Sequence, residues 1–160
     1  MEDKDLIRYS RHIMLPEIDI EGQISISSSK IAVVGLGGLG CSASVYLAAS
    51  GVGELNLIDN DLIDLSNLQR QILFSEADLN KKKVDTAKIK LTSLNENIKV
   101  NSCNLRLSKS NIRKILEGSE IVLDCTDNFE TRKVINAYCL NEKKILISCL
   151  LYTSDAADDV

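Results

Sequence analysis

A glycine-rich loop between two apolar segments constrains the fold of this chain more than any other feature of its sequence. Residues 31–34, IAVV, form a short apolar run that is typical of a buried strand. The next six residues, GLGGLG, carry glycine at all three fixed positions of a G-x-G-x-x-G loop. Residues 38–50 are small and apolar at helical spacing, and Gly51 follows where a helix C-cap is expected. The strand, the tight turn and the helix therefore predict the first unit of a doubly wound α/β fold.

The rest of the chain repeats this alternation of strand and helix. Apolar runs predict further strands at 55–58, 98–100, 121–123 and 145–147. Helical spacing predicts helices at 81–95, 109–117 and 129–141, the first with an apolar side formed by Val84, Ala87, Ile89, Leu91 and Leu94. We therefore expect a Rossmann-like, mostly parallel sheet with helices on both faces. Its cleft should lie beyond the carboxyl ends of the strands, at residues 35–40, 59–70 and 124–128.

The N-terminal part differs from this pattern. Residues 3–15 mix apolar side chains with charges, which predicts short helical structure that ends at Pro16. Residues 17–29 are interpreted as a connector to the first strand.

Composition excludes several classes of function. The chain has 160 residues, of which 44% are hydrophobic and 26% charged, with a net charge of −4. No basic stretch indicates nucleic-acid binding, and no apolar run approaches the roughly 20 residues that span a bilayer. The first residues lack the apolar core of a secretory signal, so we expect a cytoplasmic protein. The five cysteines form no C-x-x-C pair, which favours small buried side chains over a zinc or disulfide framework.

The last twelve residues, CLLYTSDAADDV, form a segment that we expect to be foreign to the natural protein. They resemble the in-frame translation of a transposon-end sequencing adapter, so the native domain is expected to comprise residues 1–148, incomplete at its C-terminal side, with 149–160 as an adapter-derived tail. The alternative is a natural acidic tail. Genomic DNA should diverge from this segment after codon 148. A genomic clone that encodes all twelve residues and then a stop codon would contradict the interpretation.

The glycine loop predicts a phosphate site. Gly35, Gly37 and Gly40 allow backbone N–H groups to approach an anion, and the following helix adds the positive end of its dipole. Asp59 comes after the second strand, about 20 residues beyond the loop, where an acid contacts ribose in such folds. These features suit ATP and NAD equally well. A glycine-rich turn without a ligand is the simpler alternative.

Three further side chains favour a triphosphate over a dinucleotide. Arg70 offers a forked guanidinium to phosphate oxygens, Lys83 adds a point charge, and Asp127 follows the fourth strand where a Mg²⁺ ligand would face the phosphates. Each has an alternative: a surface ion pair for Arg70, a solvated helix start for Lys83, and an N-cap for Asp127. Arg8 and Arg11, three residues apart, are either functional or exposed to solvent.

The order of these sequence stretches along the chain matches that of a known protein family. The chain resembles the bacterial adenylyltransferases of the ubiquitin-activating superfamily, of the ThiF type, among them those that serve molybdopterin synthase and the thiamine-pathway sulfur carrier. The matching stretches are RYSR at 8–11, the glycine loop, DND at 59–61, SNLQRQ at 66–71, KV at 83–84 and DCTDN at 124–128.

The resemblance implies a role for each matching residue. Gly38 would contact phosphate and Asp59 the ribose hydroxyls, while Asp127 would hold Mg²⁺. Arg11 would reach into the site of a second subunit, which implies a homodimer. The catalytic set would be Arg11, Arg70, Lys83 and Asp127. The nucleotide would be bound by Gly35, Gly37, Gly38, Gly40, Asp59, Asp61, Ser66, Asn67, Leu68, Gln69, Arg70, Lys83, Asp127 and Asn128, with Asn67, Arg70 and Lys83 on the phosphates.

The resemblance also implies the reaction. ATP would activate the C-terminal glycine carboxylate of a ubiquitin-like sulfur carrier that ends in Gly-Gly, and a sulfur donor would act on the acyl-adenylate in molybdopterin or thiamine biosynthesis. The family's zinc is expected from a later segment whose two C-x-x-C pairs do not occur in this chain. His12 replaces a glutamine of the family and receives no catalytic role. The alternatives are an NAD-dependent oxidoreductase and an inactive, truncated binding domain.

Overall fold

A five-stranded parallel sheet organises the molecule. The computed structural model describes residues 2–149. The strands are β1 (Lys30–Val34), β2 (Glu54–Ile58), β3 (Lys99–Cys103), β4 (Ile121–Asp124) and β5 (Ile145–Ser148), in the order β3-β2-β1-β4-β5. Each neighbouring pair is parallel, and Val34 lies opposite both Ile58 and Asp124. The three central strands therefore end side by side, and the predicted Rossmann-like fold is confirmed.

The helices cover both faces of the sheet. They are α1 (Asp3–Arg8), α2 (Ser10–Ile13), α3 (Asp19–Ser28), α4 (Gly38–Ser50), α5 (Lys83–Leu94), α6 (Ile112–Leu116) and α7 (Phe129–Asn141). Alternate side chains of β1 enter two separate cores, Val33 with α4 and α5, and Ala32 with α6 and α7. None of the helices in the described part of the chain is long and apolar enough to cross a membrane.

The N-terminal region contains more helix than expected. The predicted helix at 3–15 is interrupted at Tyr9 and ends at Ile13, and the predicted connector at 17–29 contains α3. The helix was missed because Gln23 is its only buried residue, so no apolar stripe marks it. The Gln23 side chain donates to the Ser50 carbonyl at 2.9 Å and lies 3.0 Å from the His12 ring, so polar contacts dock this helix.

Two other elements differ from the expected bounds by more than two residues at one end. A third, α5, buries fewer of its apolar residues than expected. The predicted helix at 109–117 is the shorter α6, while the strand expected at 98–100 extends to Cys103. The extension is polar: the Asn101 amide donates to Glu54 and Asn56 of β2, both at 2.8 Å, so it lacks an apolar signal. On α5, Ile89 and Leu94 are exposed rather than part of the apolar side.

Candidate nucleotide-binding site

A cleft of about 870 Å³ opens at the carboxyl ends of the central strands, where the alternation of strand and helix predicted it. Its walls come from the glycine loop, the ends of β2 and β4, residues 67–71, the start of α5 and the loop after β3. The cleft brings together most of the predicted residues, namely Gly35, Gly37, Gly38, Asp59, Asp61, Asn67, Arg70, Lys83, Asp127 and Asn128.

Five predicted residues do not line this cleft. Gly40 is buried within the loop, and Leu68 packs against the core. Ser66 bonds to Asp64, and Gln69 is exposed. Arg11 is exposed on α2, outside the cleft of its own chain.

The glycine loop leaves the start of α4 open to an anion. Gly35 has φ +90°, and a Cβ there would lie 2.9 Å from the Cys125 carbonyl oxygen. A Cβ at Gly40 would lie 1.8 Å from the Gly35 carbonyl oxygen, so only glycine fits. Gly37 is the N-cap of α4, and no side chain within residues 2–149 caps this end. The first-turn N–H groups therefore have no side-chain acceptor in the described part of the chain, and N–H groups left open in this way bind phosphate at helix starts.

The Asp59 carboxylate accepts hydrogen bonds from the glycine loop and from the loop that follows β2. One carboxylate oxygen accepts from the Leu36 N–H at 2.6 Å, and the other from the Asp61 N–H at 2.7 Å. Each oxygen retains a further lone pair for a hydroxyl donor. Asp59 thus stabilises the glycine loop and keeps capacity to bind a ribose.

Lys83 is a buried cation in the cleft wall. Its side chain is 5% exposed, and its ammonium lies 2.9 Å from an Asp61 carboxylate oxygen. The alternative of a solvated helix start is therefore wrong for Lys83, whereas the neighbouring Lys81 and Lys82 are exposed. An ammonium carries three N–H donors, so the Asp61 contact leaves donors for a phosphate.

Asp127 is exposed in the loop that follows β4. The N-cap of α7 is Asn128, whose side-chain oxygen accepts from the Thr131 N–H at 2.9 Å, so the alternative role of Asp127 as the cap is wrong. Thr126 is held on both sides: its N–H and hydroxyl donate to Asp124, and its carbonyl accepts from Arg132 at 3.0 and 2.6 Å. The Asp127 carboxylate makes no ion pair with any described residue, so it is available to a cation.

Two buried thiols, Cys41 behind the glycine loop and Cys125 in the cleft wall, are weak nucleophiles. Burial raises the pKa of Cys41 to about 12, against the opposing effect of the nearby Lys83. Burial likewise raises the pKa of Cys125, which lines the cleft. Both are therefore neutral near pH 7 and poorly suited to attack a substrate.

Sequence reasoning missed several residues of the cleft wall. They include Gln71, Leu105, Arg106, Leu107 and Arg132. Gln71 belongs to the SNLQRQ stretch, so its motif could have identified it. Residues 105–107 follow a polar strand in a loop without a motif, and only the fold brings them to the cleft.

Comparisons of the sequence with protein-family models and with known proteins point to the same family. The sequence model of the ThiF family matches residues 9–156. The chain is 46% identical to the molybdopterin-synthase adenylyltransferase of Haemophilus influenzae over 92% of its own length and 61% of that protein. It is 44% identical to the sulfur carrier protein ThiS adenylyltransferase of Escherichia coli, over 88% of its length and 56% of that protein. The chain therefore spans about 60% of the length of these relatives.

Solved structures agree with the family match. Escherichia coli MccB with ATP is 35% identical, with a TM-score of 0.75 over 79% of this chain and 38% of that one. PaaA is 29% identical, with a TM-score of 0.83 over 92% of this chain and 48% of that one.

Proposed function

Because this chain belongs to the ThiF family, we propose that it is the nucleotide-binding part of an ATP-dependent adenylyltransferase that activates a small ubiquitin-like sulfur-carrier protein. One observation carries the proposal: Arg70, Lys83 and Asp127 meet the glycine loop in a single cleft. The names of the relatives, which are adenylyltransferases for molybdopterin synthase and for ThiS, supply the class of partner.

The residues present fit a triphosphate with Mg²⁺. The open start of α4, the Arg70 guanidinium and the Lys83 ammonium are donors to phosphate oxygens. Asp127 carries a carboxylate without an ion-pair partner among residues 2–149, and a carboxylate is the ligand type that Mg²⁺ combines with phosphate oxygens. No cluster of three His, Cys, Asp or Glu exists within residues 2–149 that could hold a metal without such a ligand. When bound, Mg²⁺ would supply charge neutralisation for the phosphates.

The reaction that this site supports is substitution at the α-phosphorus of ATP. The terminal glycine carboxylate of the carrier would attack, pyrophosphate would leave, and a carrier acyl-adenylate would form. Arg70 and Lys83 would orient the triphosphate and stabilise the charge that develops on it. A sulfur donor would then attack the activated carboxyl, the acyl–phosphate bond would break, and AMP would leave. Because the carrier brings its own nucleophile, this step requires no thiol of the chain.

The proposed homodimer rests on the position of Arg11. The Tyr9 ring packs on Gly51, where a Cβ would lie 2.4 Å from it, and the Tyr9 hydroxyl accepts from Asn95 at 2.9 Å. Gly51 ends α4, whose 13 residues put it about 20 Å from the glycine loop. Arg11, two residues beyond Tyr9, thus starts near the end of the domain opposite its own cleft. This placement supports a role in the cleft of a second copy.

The remaining parts of the proposal concern the whole protein. The carrier should end in Gly-Gly, and the family's zinc should be held by residues beyond those in this chain. The four free thiols within residues 2–148 support a reducing, cytoplasmic location.

Nucleotide titration tests this function. The full-length protein should bind Mg-ATP and not NAD, which separates the proposal from an oxidoreductase. The Arg70→Ala variant should bind Mg-ATP about ten- to hundredfold more weakly, because it loses a charge-assisted phosphate contact. Arg113→Ala is the matched control, since Arg113 is exposed and pairs with Glu142 on the surface. Equal affinity of wild type and Arg70→Ala, or tighter binding of NAD than of ATP, would refute the proposal.

A further inference from the structure

Four side chains beside the cleft form a continuous chain of hydrogen bonds. The Ser66 hydroxyl donates to an Asp64 carboxylate oxygen at 2.6 Å, and the Asn67 side-chain amide donates to the Ser66 oxygen at 2.9 Å. The Gln71 amide then donates to the Asn67 side-chain oxygen at 2.8 Å. We call these four residues the amide relay. Its last two members, Asn67 and Gln71, line the cleft.

The carboxylate at one end fixes the direction of every bond in the amide relay. Hydrogen bonds from Ser66 lower the pKa of Asp64, so this group is ionised and can only accept. The single proton of the Ser66 hydroxyl is therefore used on Asp64, and the Ser66 oxygen can only accept from Asn67. Asn67 must consequently present its NH₂ group to Ser66 and its oxygen to Gln71.

Gln71, at the other end of the amide relay, shows that its hydrogen bond to Asn67 determines how its own side-chain amide is oriented. Gln71 is 1% exposed, and its side-chain oxygen is buried with no partner among the described residues. A buried unpaired acceptor is destabilising. Turning the Gln71 amide over would place its oxygen against the oxygen of Asn67, so the relay holds Gln71 in this orientation in spite of the unpaired atom.

We propose that Asp64, Ser66 and Gln71 are positioning residues that fix the side-chain amide of Asn67 with a donor N–H toward the cleft. One N–H of the Asn67 amide is used on Ser66, and the second is available to a phosphate oxygen, which can only accept. An amide turned the other way would present its oxygen to the phosphate and repel it. The relay thus sets the polarity of the site, and the inference rests on the proposed binding of a nucleotide triphosphate there.

Neutral substitutions at both sides of Asn67 test the amide relay. Ser66→Ala removes the acceptor that orders the amide, and Gln71→Met removes the donor while keeping a similar length. Each should weaken Mg-ATP binding about tenfold in an equilibrium titration. Ser66→Thr keeps the hydroxyl and should retain most of the affinity. Urea unfolding of each variant reports whether it is folded. Because Ser66 is exposed, Ser66→Ala and Ser66→Thr decide the question if the buried Gln71→Met variant does not fold.

A double-mutant cycle separates positioning from a direct or structural effect. In an Asn67→Ala background the amide relay has no amide to orient, so Ser66→Ala and Gln71→Met should change the affinity less than twofold. Tenfold losses that persist in this background would overturn the inference, as would equal affinities of wild type and Ser66→Ala. Failure of the wild-type protein to bind Mg-ATP is a different result, since it would refute the proposed function itself.

Discussion

Replacing Gly40 by alanine is expected to lower the free energy of unfolding by about 3 kcal/mol. The new Cβ would lie 1.8 Å from the Gly35 carbonyl oxygen and 2.9 Å from its carbon, which are backbone atoms and cannot rotate away. Gly35 cannot yield easily, because its φ is +90° and its own Cα faces the Cys125 backbone. The turn and the start of α4 would therefore have to separate.

Urea unfolding measures this effect, and Gly37→Ala provides the matched control in the same loop. A Cβ at Gly37 would meet no atom within 4 Å, and its φ of −75° suits alanine. Its cost should stay within about 1 kcal/mol, the size of a changed N-cap. Because small domains have a total stability of roughly 5–15 kcal/mol, Gly40→Ala should also reduce the amount of folded protein at 37 °C. Similar unfolding midpoints for the two variants would show that the loop relaxes at little cost.

Much of the fold could be predicted because the spacing of apolar residues indicates the strands and helices, and the glycines indicate the tight turn between β1 and α4. The three central strands, β1, β2 and β4, are mainly buried, and the glycine loop follows the first of them. The missed elements lack those signals. Helix α3 buries only Gln23, and the end of β3 is held by Asn101. Polar side chains that bond to one another or to a carbonyl stabilise such elements, and their partners are distant in sequence.

The position of the site could be predicted from the sequence, but the direction in which each side chain points could not. The cleft follows from parallel strands that end together, so the stretches that enclose it could be located from the alternation alone. Which residues of 66–70 enter it depends on a local turn. The short 3-10 helix Leu65–Asn67 directs Ser66 toward Asp64 and Asn67 toward the cleft. Sequence spacing does not resolve such a turn, and the predicted set therefore included residues that the cleft does not contain.

Subunit complementation is expected to restore adenylation between two inactive variants. Arg11→Ala and Asp127→Ala should each lower the carrier-dependent pyrophosphate exchange of the full-length protein by about 10²–10³-fold, since each removes a group that stabilises charge at the phosphates. If Arg11 acts in the partner's site, a mixed dimer contains one site with both groups intact. Random mixing of equal amounts should then give about a quarter of wild-type activity, because half the dimers are mixed and each has one working site.

A second mixture distinguishes the trans role of Arg11 from the cis role in the same assay. An Arg11→Ala/Asp127→Ala double variant is mixed with an equal amount of wild-type chain. With Arg11 acting in trans, the mixed dimer has no complete site, so only wild-type dimers contribute and about a quarter of the activity remains. With Arg11 acting in cis, the wild-type subunit of every mixed dimer works, and about half remains.

The trans and cis roles of Arg11 therefore predict different pairs of activities in the two mixtures. Tyr9, two residues before Arg11, packs on Gly51 at the end of α4 that is farthest from the cleft, and this placement favours the trans pattern of about a quarter in both mixtures. No activity in the first mixture together with half activity in the second, with mixed dimers verified by native mass spectrometry, would assign Arg11 to its own subunit and overturn the proposed role of the dimer.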